Sequence, residues 1–193
     1  MSHAIPDLHP VTFIFVRHGE STWNAERRVQ GQTDVPLSDR GRAQAGAAAA
    51  LIAGHPVGAV FASPLQRARH TAEIINETLD LPMTTLDALM EVRLGELEGK
   101  PYPAGLSDWE AGNAPDGAET QDEFFARALS GINQVLKSWT MPDTHPLIVA
   151  HGGVFRAVQH HALRDHSWPV ENCRPVLVTP PEEDDWPWTM EEL

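Results

Sequence analysis

The sequence predicts an α/β fold whose strands are covered on both faces, and three observations predict it. Short apolar runs alternate with longer amphipathic stretches, the order in which strands and crossover helices follow one another. The runs are apolar throughout instead of alternating with polar residues, so neither face of the sheet is left to solvent. With 193 residues the chain is long enough to bury a substantial core and short enough to read as one domain, 1–193.

In chain order, residues 11–16 (VTFIFV) are β-branched and aromatic and too short for a helix, so they form the first strand. Ser38 caps an alanine-rich helix that runs to about 53 and stops at Gly54. Residues 57–62 (VGAVFA) are a second strand, and 65 to about 79 a second helix. Residues 94–118 hold five glycines and three prolines with neither period, and read as a lid-like loop. From 121 to about 139, Phe124, Phe125, Leu129, Ile132, Val135 and Leu136 recur close to helical spacing. A strand at 147–150 (LIVA), a helix after Gly152-Gly153 to about 163 and a weaker strand at 175–178 (PVLV) follow. The acidic segment 182–193 reads as a tail or an edge segment, with Trp186 and Trp188 as packing or contact residues.

A net charge of −13 excludes a general nucleic-acid binder and docking on anionic membrane. It leaves room for a small anionic substrate, because a local arginine cluster can dominate one pocket. The single cysteine, Cys173, excludes an intramolecular disulfide and a four-cysteine metal site. The first ten residues lack a basic signal-like segment, and no apolar run approaches the roughly 18 residues of a membrane span, so the expected location is cytoplasmic. His160, His161 and His166 lie close in sequence but without an HExxH or cysteine pattern, so no metal and no other cofactor is expected. Nothing in the sequence specifies an oligomeric state.

Three apolar runs end in groups suited to phosphate. The first stops at Arg17-His18-Gly19-Glu20, the second at Ser63-Pro64-Leu65-Gln66-Arg67, the third at His151-Gly152-Gly153. Ligands of open α/β sheets sit beyond the carboxyl ends of the strands, so neighbouring strands would bring two arginines and two histidines to one spot. A phosphoryl group in transfer spreads charge over three oxygens, and arginine matches them with a planar fork that stays charged. A neutral imidazole can attack phosphorus through one nitrogen while the other is held. A glycine after each histidine, Gly152 among them, would let the backbone approach the anion. A leaving alkoxide needs a proton and the attacking water a base, for which Glu91 is the candidate. It stands ahead of the lid-like loop and has Arg93 as an alternative ion-pair partner. Asn24 is either a further phosphate contact or a turn cap; Arg28 and Arg156 read as scaffold or rim residues.

These residues resemble the histidine phosphatase superfamily, in its phosphoglycerate-mutase-like branch. The likeness runs from residues 15–24 (FVRHGESTWN) through 28–38 (RVQGQTDVPLS), 63–68 (SPLQRA), Glu91, Gly95, Glu98 and Gly99 to 149–156 (VAHGGVFR), and spans about 11–178 in the family's order. It implies a three-layer α/β/α sandwich with a mostly parallel central sheet. It implies a phosphohistidine at His18, phosphoryl oxygens held by Arg17, Arg67 and His151, and Glu91 as proton donor and then base. The expected catalytic set is His18, Glu91 and His151, with Arg17, Arg67, Asn24 and Gly152 binding phosphate.

The family holds both mutases and phosphatases. Residues 94–126 carry eight acids, one lysine and no arginine, a poor clamp for a bisphosphorylated carboxylate. The mutases have a longer, basic insertion here and a tyrosine where this chain has Leu94. The expected activity is therefore hydrolysis of a small phosphomonoester, with phosphoglycerate mutase as the rival. A non-catalytic phosphate-binding module or a phosphocarrier is a second alternative. Trp23, Tyr102, Leu106 and Trp109 are the expected leaving-group contacts.

Overall fold

The computed structural model describes residues 5–163, 168–182 and 187–193. The chain runs β1 (Phe13–Arg17), α1 (Thr22–Ala25), α2 (Asp39–Ile52), β2 (Val57–Ala62), α3 (Gln66–Leu79), β3 (Met83–Thr85), α4 (Leu106–Glu110), α5 (Gln121–Ser138), β4 (His145–Ala150), α6 (Gly152–Ala162), β5 (Pro175–Thr179) and β6 (Thr189–Glu192). Two single turns of 3-10 helix, Asp87–Leu89 and Gly95–Leu97, lie between β3 and α4. The strands form one sheet in the order β3-β2-β4-β1-β5-β6. The first four are mutually parallel, β5 runs antiparallel to β1, and β6 runs antiparallel to β5.

The apolar runs are buried on both faces, as expected of a sheet between helices. Alternate residues of β1 point opposite ways. Phe13 and Phe15 join Ile148, Phe124, Leu129, Ile132, Phe155 and Val158 beneath α5 and α6. Ile14 and Val16 join Val60, Leu147, Val149, Ala45, Ala49, Ile52 and Ile75 beneath α2 and α3. The small alanines of α2 let that helix lie close to the sheet and to α3. Burial of each large side chain contributes roughly 1.5–3 kcal/mol, and Phe15 also stacks on Phe155 at 4.8 Å between centroids.

The helix starts follow cap chemistry. Ser38 accepts from the Gly41 amide, and Thr120 and Glu123 form a reciprocal box at α5. α6 begins at Gly152, two residues earlier than expected, with His151 in the cap position.

Two departures from the sequence reading stand out. β3 has only three residues, too few to make an apolar run. α4 lies inside the segment expected to lack regular structure; it offers only the pair Leu106 and Trp109, three apart, too short to register as a period. The acidic C-terminal segment, read as a tail or an edge segment, is an edge strand over Thr189–Glu192 paired with β5, and Trp188 packs edge-on to Phe13 at 6.5 Å. Trp186 and His166 lie outside the described residues. Among the described residues, no helix is long and apolar enough to cross a membrane.

Candidate active site

β2, β4 and β1 are adjacent and parallel, so their carboxyl ends bring Ser63, His151 and His18 together. The ladder continues past the strand ends. The His18 amide donates to the Ala150 carbonyl at 2.9 Å, and the Ser63 amide to the Val149 carbonyl at 3.1 Å. Arg67 enters from the first turn of α3 and Arg17 from the last residue of β1.

His18 is 2% exposed. Its Nδ1 lies 2.7 Å from the Gly19 carbonyl. A carbonyl only accepts, so Nδ1 carries the proton and Nε2 keeps a free lone pair. Burial, then the charges of Arg67 and Arg17, hold the ring well below the usual histidine range, so it is neutral at pH 7. His151 is fully buried beside it, with ring centroids 5.2 Å apart. Burial and the charges of Arg67 and Arg17 likewise keep His151 neutral. Its Nε2 is 2.8 Å from Ser63 Oγ.

The two arginines are fixed by backbone carbonyls. Arg67 donates through Nη1 to Thr33 at 2.9 Å and through Nη2 to Gly31 at 2.7 Å; Arg17 donates through Nη1 to Val170 at 2.6 Å. Burial lowers both, Arg67 to about 10, which leaves them cationic at neutral pH. Among the described residues, Arg17 Nε, Arg67 Nε and His151 Nδ1 are buried polar atoms with no hydrogen-bond partner. An orphaned buried polar atom costs roughly 1–3 kcal/mol, and these three belong to residues whose charge or ring acts on His18.

Glu91 does not pair with Arg93. One carboxylate oxygen accepts from the Gly153 amide at 3.0 Å and the other from its neighbour Val92 at 3.0 Å. The glycine that the site requires after His151 is therefore Gly153: a Cβ there would overlap the Glu91 carboxylate. At Gly152, expected to admit the anion, a Cβ would meet Arg17 Nε and Val170 Cγ1 only at an ordinary 3.5 Å. Gly19 likewise serves the backbone, since a Cβ there would strike the Gly41 carbonyl.

Sequence reasoning missed what holds Glu91. Arg127 of α5 donates to the carbonyls of Ala88, Met90 and Glu91 at 2.9–3.1 Å. It also forms two hydrogen bonds, 2.7 and 2.8 Å, to Glu119. Burial opposes ionisation of Glu119, but Arg127 and the Arg93 amide outweigh it and leave its carboxyl below the usual range. A charged residue in an amphipathic helix gives no signal of such a role.

The cavity in front of His18 holds about 850 Å³, the size of a pocket for a drug-sized ligand rather than bare phosphate. Asn24 borders it, but its Oδ1 accepts from the Ser21 amide, so it caps α1 and can offer only its NH2 to a ligand. Trp23, Tyr102, Leu106 and Trp109 all line the cavity. Trp23 is covered by the Arg28 guanidinium at 4.4 Å, and the Trp109 N–H is spent on the Glu119 carbonyl at 2.7 Å. Arg27 and Trp168 also line it and carried no sequence signal.

The acids of the lid turn away from the cavity, with one exception. Of its eight acids only Glu110 borders the cavity, and it pairs with Arg156 at 3.2 Å. Glu98 turns inward to the amides of Gln32, Thr33 and Leu94, each at 3.0 Å, and Glu123 closes the α5 cap. Those acids neutralise backbone donors, while Arg17, Arg27, Arg28, Arg67 and Arg156 line the cavity. Neither Arg28 nor Arg156 is bound into the phosphate cluster, in keeping with rim positions: Arg28 donates to the Gly99 carbonyl at 2.9 Å.

The six-stranded, mostly parallel sheet with helices on both faces, carrying histidines and arginines at the carboxyl ends of its parallel strands, is the phosphoglycerate-mutase-like fold. The family model of the histidine phosphatase superfamily, branch 1, matches residues 13–181, and the chain belongs to that superfamily. It is 36% identical over 143 residues to the uncharacterized phosphatase PhoE of Bacillus subtilis, covering 74% of this chain and 72% of that one. It is 33% identical over 183 residues to 2,3-bisphosphoglycerate-dependent phosphoglycerate mutase 2 of Gloeobacter violaceus, covering 84% and 83%. A mycobacterial glucosyl-3-phosphoglycerate phosphatase, solved with VO3, superposes with a TM-score of 0.77 at 26% identity over 93% of this chain and 97% of that one.

Proposed function

We propose that the protein is a metal-independent phosphatase that hydrolyses a small phosphomonoester through a phosphohistidine at His18. The observation that carries the reading is the trio of unpartnered buried nitrogens, Arg17 Nε, Arg67 Nε and His151 Nδ1, beside a neutral imidazole with a free Nε2. The two guanidiniums are fixed cationic donors suited to the oxygens of a phosphoryl group in transfer.

In the first step the Nε2 lone pair forms the N–P bond as the P–O bond to the leaving group breaks. The proton on Nδ1 stays with the Gly19 carbonyl, so the ring remains oriented while it gains charge. Glu91 gives the departing alkoxide its proton. In the second step Glu91 takes a proton from water, the O–P bond forms, and the N–P bond returns its electrons to Nε2. Asn24 adds an amide donor, and the α6 start at Gly152 lies against Arg17. Trp23, Tyr102, Leu106 and Trp109 form the wall for the leaving group. The buried, apolar Leu94 at the cavity supports hydrolysis, because it offers no hydrogen bond to a second anionic group.

The mutase reading keeps one specific support: the five arginines on the cavity wall suit a multiply charged substrate. We infer one domain working in the cytoplasm, where Cys173 is an inert packing thiol pushed up to about 12 by burial.

The test is phosphate release from a panel of phosphomonoesters that includes phosphoglycerates, with EDTA present. His18→Ala should lose both turnover and phosphoenzyme, and Glu91→Gln should lose rate mainly on poor leaving groups. Full activity of His18→Ala would exclude the phosphohistidine route. Interconversion of primed phosphoglycerates without phosphate release would assign the mutase.

A further inference from the structure

Ser63 stands at the carboxyl end of β2, fully buried, and is no part of the phosphate-binding set described above. Its hydroxyl has one proton to give and two lone pairs. The Leu65 amide donates to Oγ at 3.3 Å, which uses one lone pair. The other neighbour is His151 Nε2 at 2.8 Å. Among the described residues, no carbonyl or carboxylate takes the hydroxyl proton. If His151 donated through Nε2, the Ser63 proton would be left buried without an acceptor. The complete accounting therefore runs one way: Ser63 donates to Nε2, and the neutral His151 ring carries its proton on Nδ1.

That Nδ1 is the buried atom with no protein partner. We propose that Ser63 is a positioning residue that fixes His151 as the Nδ1–H tautomer and thereby makes it a hydrogen-bond donor to the phosphoryl group on His18. The inference rests on the phosphohistidine reading. The opposite tautomer would present a lone pair to phosphoryl oxygens, which are themselves acceptors, and would repel them. A neutral donor set by a serine stays a donor without taking up a proton beside two arginines. His18 and His151 thus hold their protons on the same ring atom but use opposite nitrogens, one as nucleophile and one as donor.

The test is long-range proton–nitrogen NMR of the ring nitrogens in the whole, resting protein, with resonances assigned by His18→Ala. His151 should show a protonated, pyrrole-like Nδ1 and a bare, pyridine-like Nε2. In Ser63→Ala that pattern should be lost and kcat should fall by about tenfold to a hundredfold, with KM for the same substrate little changed, as expected when a transition-state donor is weakened. Ser63→Thr keeps the hydroxyl and should restore both. A protonated Nε2 in the native protein would overturn the proposal, and so would a Ser63→Ala variant with unaltered ring signals and kcat. The native spectrum decides even if Ser63→Ala fails to fold. Because it is recorded without turnover, failure of the phosphohistidine route would show separately, as activity retained by His18→Ala.

Discussion

Acid should destabilise this protein through its two site histidines, and the size of the effect follows from their burial. His18 and His151 are neutral in the folded state because burial and the neighbouring guanidiniums oppose a further charge. In the unfolded chain each takes up a proton below about pH 6.5. The unfolded state then binds more protons, so stability is present in full above that pH and is lost as pH falls below it. Each ring neutral in the fold costs about 0.1 kcal/mol at pH 7.5 and about 1.4 kcal/mol at pH 5.5. Together they should remove about 2.7 kcal/mol of stability between those two values. His145, lowered chiefly by burial and by His55, adds a loss of the same sign. Urea unfolding followed by tryptophan fluorescence at pH 7.5, 6.5 and 5.5 reads the effect, with a constant m-value as the two-state check. His18→Ala should shed about half of the two-ring loss, roughly 1.3 kcal/mol, whatever its stability at pH 7.5. If His18→Ala loses as much stability as the native protein over this range, His18 is not held neutral and the electrostatic account of the nucleophile fails.

Two further outcomes follow from how Glu91 is held. Gly153→Ala should keep the fold, since alanine favours the helix by up to about 1 kcal/mol, yet its methyl displaces the Glu91 carboxylate. Activity on poor leaving groups should drop tenfold or more, and an unchanged rate in the folded variant would remove Glu91 from the reaction. Arg127→Met strips the clamp from residues 88–91 and leaves Glu119 buried without its partner, for an expected loss of about 3–5 kcal/mol at pH 7 in urea unfolding; a loss under 1 kcal/mol would show that the clamp is dispensable.

What was legible in the sequence is what short-range pattern encodes. β1, β2 and β4 announce themselves because strands buried on both faces must be apolar throughout, and α5 because its stripe persists for five turns. The convergence of His18, His151, Arg17 and Arg67 was legible because each lies at or shortly after the end of one of those runs. β6 was legible only as one of two alternatives, tail or edge segment, because TMEE at an exposed edge carries no apolar face. Arg127 was missed, and Glu98 was counted as a lid acid, for a shared reason: a charge seen in sequence looks solvated unless its partners are known. Arg127 meets carbonyls 36–39 positions away, and Glu98 meets amides 65 and 66 positions away. The step from Gly152 to Gly153 depends on which one faces Glu91, and that is set only when α6 docks.

The position of β4 has a consequence for how the molecule comes into being. β1 and β2 are made early, yet in the finished sheet they never touch, because β4, residues 145–150, lies between them. In a ribosome-bound chain that ends before residue 145, β2 already has β3 beside it, but β1 lacks both of its sheet neighbours, β4 and β5. Such long-range pairing is slow to form and exposes unpaired strand edges while it waits. His18 is therefore among the first parts synthesised and gains His151 only near the end. The cluster at the strand ends is completed by the insertion of one strand, so a chain that stops short of β4 carries His18 and Arg67 with no strand to bridge β1 and β2.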